Sequence, residues 1–105
     1  MPQVKNPATG VEVAKFSCAG GTEALGAIAS AEVAYTSWRK KTGMERSEVL
    51  KRWHQGILEN ANDIATIMTL ECGKPLHESR AEVAAGAASV EWFAEEAKRC
   101  VLVLG

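Results

Sequence analysis

The sequence predicts a mainly α-helical chain with a short N-terminal β-hairpin. Three observations predict it. A turn-forming stretch, NPATG at residues 6–10, is followed by alternating residues. From Thr22 onward apolar residues recur at spacings of three and four. Gly73 and Pro75 then punctuate that helical pattern as the end of one helix and the start of the next.

The hairpin is expected over about residues 3–17. Pro7 and Gly10 flank its turn, and Val11, Val13 and Ala14 are interspersed with Glu12 and Lys15. Gln3–Asn6 would pair with Val11–Phe16. The first helix is expected over about 22–41, with Thr22 as its cap and Glu23 near its positive end. Ala24, Ile28, Ala31, Tyr35 and Trp38 fall on one face. Arg39, Lys40 and Lys41 suit its negative end, and read as a solvated helix end rather than a phosphate site.

A second helix is expected over about 43–60. Thr42 and Glu45 have the spacing of a capping box. Leu50, Trp53, Ile57, Ala61, Ile64 and Met68 continue an apolar stripe across Asn60 and Asn62, which mark a kink or a restart near Asp63. This gives a third helix over about 62–72 and a fourth over about 75–99. Leu76, Val83, Ala87, Val90, Ala94 and Ala97 line one face of the fourth. Its AEVAAGAAS run admits a close neighbour, although Gly86 costs about 1 kcal/mol of helix propensity against alanine. The alanine-rich face from Ala81 to Ala88 is expected to contact another body or to border a substrate passage.

Composition excludes several functions. With 105 residues the chain has room for one domain at most. Twelve basic and 13 acidic side chains leave no footprint for nucleic acid and no basic stripe for an anionic membrane. No apolar run approaches the roughly 18 residues of a membrane span, and MPQVKNPATG has no apolar signal core. Cys18, Cys72 and Cys100 are odd in number and far apart, so reduced thiols are expected rather than a disulfide framework. Much of the 47% apolar content is alanine, which predicts a marginal core.

The stretch ECGKPLHESR at 71–80 is the strongest candidate for chemistry. Cys72, Lys74 and His77 have the residue types of a nucleophile with activators. Against this, Cys72 falls in the last turn of a helix, whereas activated cysteines favour helix N-termini. A metal pair of Cys72 and His77 would need further ligands, and His54 is the only other histidine. The corner is therefore expected to be structural. Trp53 and Trp92 lie on or beside apolar stripes, which favours burial in a core or interface over ligand stacking. In EWFAEEAKR, Glu95 with Lys98 and Arg99 reads as an ion-paired helix face. No GxGxxG, GxxxxGK[ST] or HExxH occurs.

Four segments in order carry a family resemblance. NPATGVEVAKF resembles the N-terminal hairpin of the aldehyde dehydrogenase superfamily. AYTSWRKKTGMERSEVLKRW resembles its next helices, and LECGKPLHESRAEV its Glu-x-Gly-Lys-Pro corner. EWFAEEAKR points to the succinate-semialdehyde dehydrogenase branch, whose members oxidise succinic semialdehyde to succinate in 4-aminobutyrate degradation. The resemblance covers about residues 4–99 and implies the N-terminal helical part of a larger α/β fold. It implies NAD or NADP as cofactor of the full-length family, and a homo-oligomer. It implies a cysteine nucleophile, an oxyanion held by a backbone N–H and an asparagine, and a glutamate that activates water. Those residues belong to motifs downstream of this region. No catalytic, cofactor-binding or metal-binding residue is therefore assigned in this chain, and Cys72 occupies a variable position of the corner.

The resemblance departs at both ends, where a lead-in strand and a tyrosine-glycine-acid turn are expected and Cys100-VLVLG stands instead. The chain is thus expected to be an N-terminal fragment, inactive by itself, whose partner is the rest of the dehydrogenase fold. The alternative is a helical interaction module that docks on full-length subunits. No targeting segment is read in the chain, and the resemblance leaves cytoplasm and mitochondrion open.

Overall fold

In a computed structural model the described residues are 1–99. The order is β1 (Gln3–Lys5), β2 (Glu12–Lys15), α1 (Gly21–Trp38), α2 (Gly43–Glu59), α3 (Ala61–Cys72) and α4 (Leu76–Arg99). The fold class is the one the sequence predicts. The Cys100-VLVLG segment lies outside the described residues.

The hairpin turn is built by its own side chains. Asn6 Oδ1 accepts from the Ala8 N–H at 2.9 Å, and the Gly10 N–H donates to the Asn6 carbonyl at 2.7 Å. Gly10 takes φ 72°, which suits glycine. The strands are antiparallel, with Val4 opposite Ala14 and Lys5 opposite Glu12. Val13 is thus an extra residue on β2, a bulge that the alternation of residues does not predict.

Helix α1 differs from expectation at both ends. Its N-cap is Gly20, and Thr22 lies inside the helix. Glycine offers no capping oxygen, but Glu23 Oε2 accepts from the Gly20 N–H at 2.8 Å. Helical geometry stops at Trp38 because the chain tightens there. The Lys40 and Lys41 amides bond three residues back, to the Ser37 and Trp38 carbonyls.

Helix α2 opens on the expected box. The Thr42 N–H donates to Glu45 Oε2 at 2.7 Å, and the Glu45 N–H donates to Thr42 Oγ1 at 3.2 Å. The break between α2 and α3 falls at Asn60, with the restart at Ala61 rather than near Asp63. Asn60 turns its side-chain amide back onto the Gly56 carbonyl at 2.8 Å. One residue therefore closes α2 and opens α3.

The packed centre is α4 against α2 and α3. Its fully or nearly buried members are small: Ser47, Ala65, Ser79, Val83, Ala87 and Ala94. Gly43 lies directly against the Ala97 carbonyl, so a side chain there has no room. Ser79 and Thr69 exchange a hydroxyl hydrogen bond at 2.8 Å. Ser47 Oγ is buried without a partner among the described residues.

The larger apolar residues lie elsewhere. Trp53 is 59% exposed, Trp92 65% and Phe93 62%. Of the two expected settings for Trp53 and Trp92, a core or an interface, the core is not formed among the described residues. Helix α1 has no buried residue. The radius of gyration is 18.2 Å, against about 13 Å for a compact domain of this length. The accessible area is 8001 Å², against about 5,700 Å² for a folded monomer of this mass.

Candidate functional site

The corner between α3 and α4 holds Cys72, Lys74 and His77. Gly73 ends α3 at φ 71°, and its N–H donates to the Thr69 carbonyl at 2.9 Å. Pro75 precedes α4, its carbonyl accepting from the Glu78 and Ser79 amides. A β-carbon at Gly73 would stand 2.8 Å from Pro7 Cγ and 3.2 Å from the Ala8 nitrogen. The corner therefore seats the hairpin turn on the helical pair. Its conformation and its lack of a side chain have separate causes.

The three candidate side chains have separate surroundings. Cys72 is a free, exposed thiol at the C-terminal end of α3. Lys74 forms an ion pair with Glu82, one side chain of which is largely in solvent. His77 is exposed in the first turn of α4. His54, the remaining histidine, places Nδ1 2.9 Å from the Ala87 carbonyl. A carbonyl only accepts, so Nδ1 carries the proton, and the ring is committed to the α2–α4 seam. Among the described residues no three His, Cys, Asp or Glu side chains converge as metal ligands.

The acidic and basic residues of α4 have local roles. Glu95 pairs with Lys98 at 2.8 Å and with Lys51 of α2 at 3.4 Å. The Lys98 hydrogen bond is the main cause holding the Glu95 carboxyl below its ordinary pKa. Glu95 in turn raises the Lys98 ammonium. Arg99 pairs with Glu96, one residue from the expected Glu95. Helix spacing favours both choices, and the cross-helix Lys51 occupies Glu95. At the α1 end, Arg39 stacks over the Tyr35 ring at 5.6 Å.

The surface also carries an apolar concavity. A groove of about 470 Å³ runs between α2, α3 and α4. Trp53, Ile57, Met68, Val83 and Val90 line it, and the exposed Gly86 and Glu82 lie at the same place. Gly86 has nothing within 4 Å of a would-be β-carbon. The groove has walls suited to another apolar surface and one carboxylate. No helix among the described residues is long and apolar enough to cross a membrane.

Comparison with known proteins decides the family. The model of the "Aldehyde dehydrogenase family" matches residues 2–102. The chain belongs to the aldehyde dehydrogenase family. It is 50% identical over 97 residues to the mitochondrial succinate-semialdehyde dehydrogenase of Oryza sativa subsp. japonica, covering 92% of this chain and 18% of that protein. It is 48% identical over 96 residues to the 3-sulfolactaldehyde dehydrogenase of Pseudomonas putida, covering 91% and 20%. The crystal structure of succinate-semialdehyde dehydrogenase from Burkholderia pseudomallei superposes with a TM-score of 0.88 at 43% identity, over 92% of this chain and 20% of that one. The chain thus spans about a fifth of the length of these aldehyde dehydrogenases. Within the family the groove and the exposed tryptophans sit on a part that makes up one fifth of a larger fold.

Proposed function

We propose that these residues form the N-terminal helical part of an NAD- or NADP-dependent aldehyde dehydrogenase of the succinate-semialdehyde type. The reaction would be oxidation of succinic semialdehyde to succinate, in a homo-oligomeric enzyme. The observation that carries the reading is the 50% identity to the rice enzyme across 97 residues. The Pseudomonas relative, nearly as similar, is named for a different aldehyde. The two named substrates share one chemistry, an aldehyde at one end and an acid group at the other. That shared class is the firmest part of the substrate assignment.

The role of this part is to pack rather than to react. Hydride transfer needs a cofactor site and a positioned nucleophile, and the catalytic and cofactor-binding positions are assigned to the remaining four fifths of the fold. The 105 residues alone would then be inactive. The test has two parts. The native polypeptide is sized in its source cell through peptides from Trp53–Arg80, and the purified 105-residue chain is assayed for NAD(P) reduction with succinic semialdehyde. A product several times larger than 11.2 kDa with no turnover by the short chain is expected. Robust turnover by the short chain refutes its assignment as a packing part.

A second reading, docking of the 105-residue chain on full-length subunits, is favoured by the open Trp53 groove. Co-purification with a tagged full-length enzyme, lost in Trp53→Ala, is its expected sign.

A further inference from the structure

Helix α1 stands apart from the rest of the chain. All 18 of its residues are exposed. Its hydrogen bonds to other residues stop at its two ends, at Gly20, Arg39, Lys40 and Lys41. Its two charged side chains, Glu23 and Glu32, enter no ion pair among the described residues. The connections on either side, residues 16–20 and 39–42, belong to no helix or strand.

The other three helices are tied together. The Lys51–Glu95 pair and the His54–Ala87 hydrogen bond join α2 to α4. The Thr69–Ser79 hydroxyl bond joins α3 to α4. Each of the three contributes at least one buried residue, and α1 contributes none.

By itself α1 is a weak helix. Nucleation is costly, and most helical stability in proteins comes from packing one face. α1 packs no face among the described residues. It holds Gly26 and the β-branched Thr22, Ile28, Val33 and Thr36, all poorer helix formers than alanine. Its last turn has no basic side chain to offset the negative end.

We propose that α1 opens as a unit of its own: its helix melts and reforms, hinged at residues 16–20 and 39–42, while α2, α3 and α4 stay folded. Ile28, Tyr35 and Trp38 then move into and out of helical register on one arm, without disturbing the Gly73 corner or the α2–α4 seam. The inference stands on the packing of α1 and is independent of the substrate assignment above.

Limited chymotrypsin digestion of the 105-residue chain, with fragments identified by mass, tests it. The molecule supplies its own controls. Tyr35 of α1 is 59% exposed, as is Trp53 of α2, and Trp92 and Phe93 of α4 are 65% and 62% exposed. Side-chain access is thus matched, and only the opening of the backbone differs. Where opening and closing outpace cleavage, the cutting rate follows the open population. Each rate is taken relative to an unstructured peptide of the same local sequence. Cleavage after Tyr35 is expected to be at least about tenfold faster than after Trp53, Trp92 or Phe93.

Two variants separate the units. Gly26→Ala adds helix propensity at a position with nothing within 4 Å. It should slow the Tyr35 cut by about three- to fivefold and leave the other three cuts as they are. Gly43→Ala sets a methyl against the Ala97 carbonyl. It should speed the Trp92 and Phe93 cuts by about fivefold or more and leave Tyr35 unchanged. A Tyr35 cut no faster than the other three overturns the proposal, as does either variant shifting all four cuts together. Either failure leaves the family reading untouched.

Discussion

Gly73→Ala tests the corner that joins the hairpin to the helices. The substitution acts twice. Alanine at φ 71° pays the left-handed penalty of about 1–2 kcal/mol. Its β-carbon also meets Pro7 Cγ at 2.8 Å and the Ala8 nitrogen at 3.2 Å. Neither neighbour is the far end of a flexible chain, so the hairpin turn must shift, at about 1–3 kcal/mol for overpacking. Alanine restricts the unfolded chain and returns about 0.4–1 kcal/mol. The net expectation is a loss of about 2–4 kcal/mol, a large share of the stability of a small domain. Urea denaturation followed by far-ultraviolet circular dichroism measures it. Two further variants separate the causes. Gly73→Asn tolerates the left-handed conformation but keeps the contact, so it should lie between the parent and Gly73→Ala. Pro7→Ala combined with Gly73→Ala should cost less than the sum of the single changes, because the ring carbons are gone. If Gly73→Ala falls within the ordinary surface scatter of about 0.5 kcal/mol, the reasoning about this corner is wrong.

Three other outcomes are expected. Ser47→Ala removes a buried hydroxyl that has no partner among the described residues, and should stabilise the chain by about 1 kcal/mol in the same denaturation experiment. Gly43→Ala drives a methyl into the Ala97 carbonyl, and should destabilise by about 1–2 kcal/mol despite the better helix propensity of alanine. The Glu45 carboxyl is held below its ordinary value of 4.5, chiefly by the Thr42 N–H and then by the Thr42 hydroxyl. A depressed folded pKa gives stability that is complete above the unfolded value and is lost as pH falls through the folded one. Thermal midpoints should therefore drop on the acid side, and Glu45→Gln should make that drop shallower.

Local chemistry made much of this structure legible. The turn at Asn6–Gly10, the Thr42–Glu45 box, and the Gly73–Pro75 corner all depend on residues a few positions apart. The misreadings share a different origin. Thr22 resembles a cap, but the true N-cap Gly20 acts through the carboxylate of Glu23. The restart at Ala61 depends on the Asn60 side chain folding back on Gly56. Apolar periodicity places Trp53 on a stripe and Trp92 beside one, yet cannot tell which neighbour covers a stripe. Ser47 and Ser79 were invisible because a binary pattern counts serine as surface. Their burial follows from the closeness of α2, α3 and α4, a nonlocal fact. The family resemblance was legible for the same reason as the corners were, since it rests on short ordered motifs.

The seam between α2 and α4 has an unusual consequence for how the chain tolerates change. At Gly43, Ser47, Ala87 and Ala94 the two backbones come together with little side chain between them. The common way to weaken a core, trimming a large residue to leave a void, has little there to trim. At these four positions harm enters in the other direction, through added atoms that pry the helices apart. A deep substitution scan along this seam should thus be lopsided. At these small positions truncations would pass almost silently, while each added methyl group would act as a wedge.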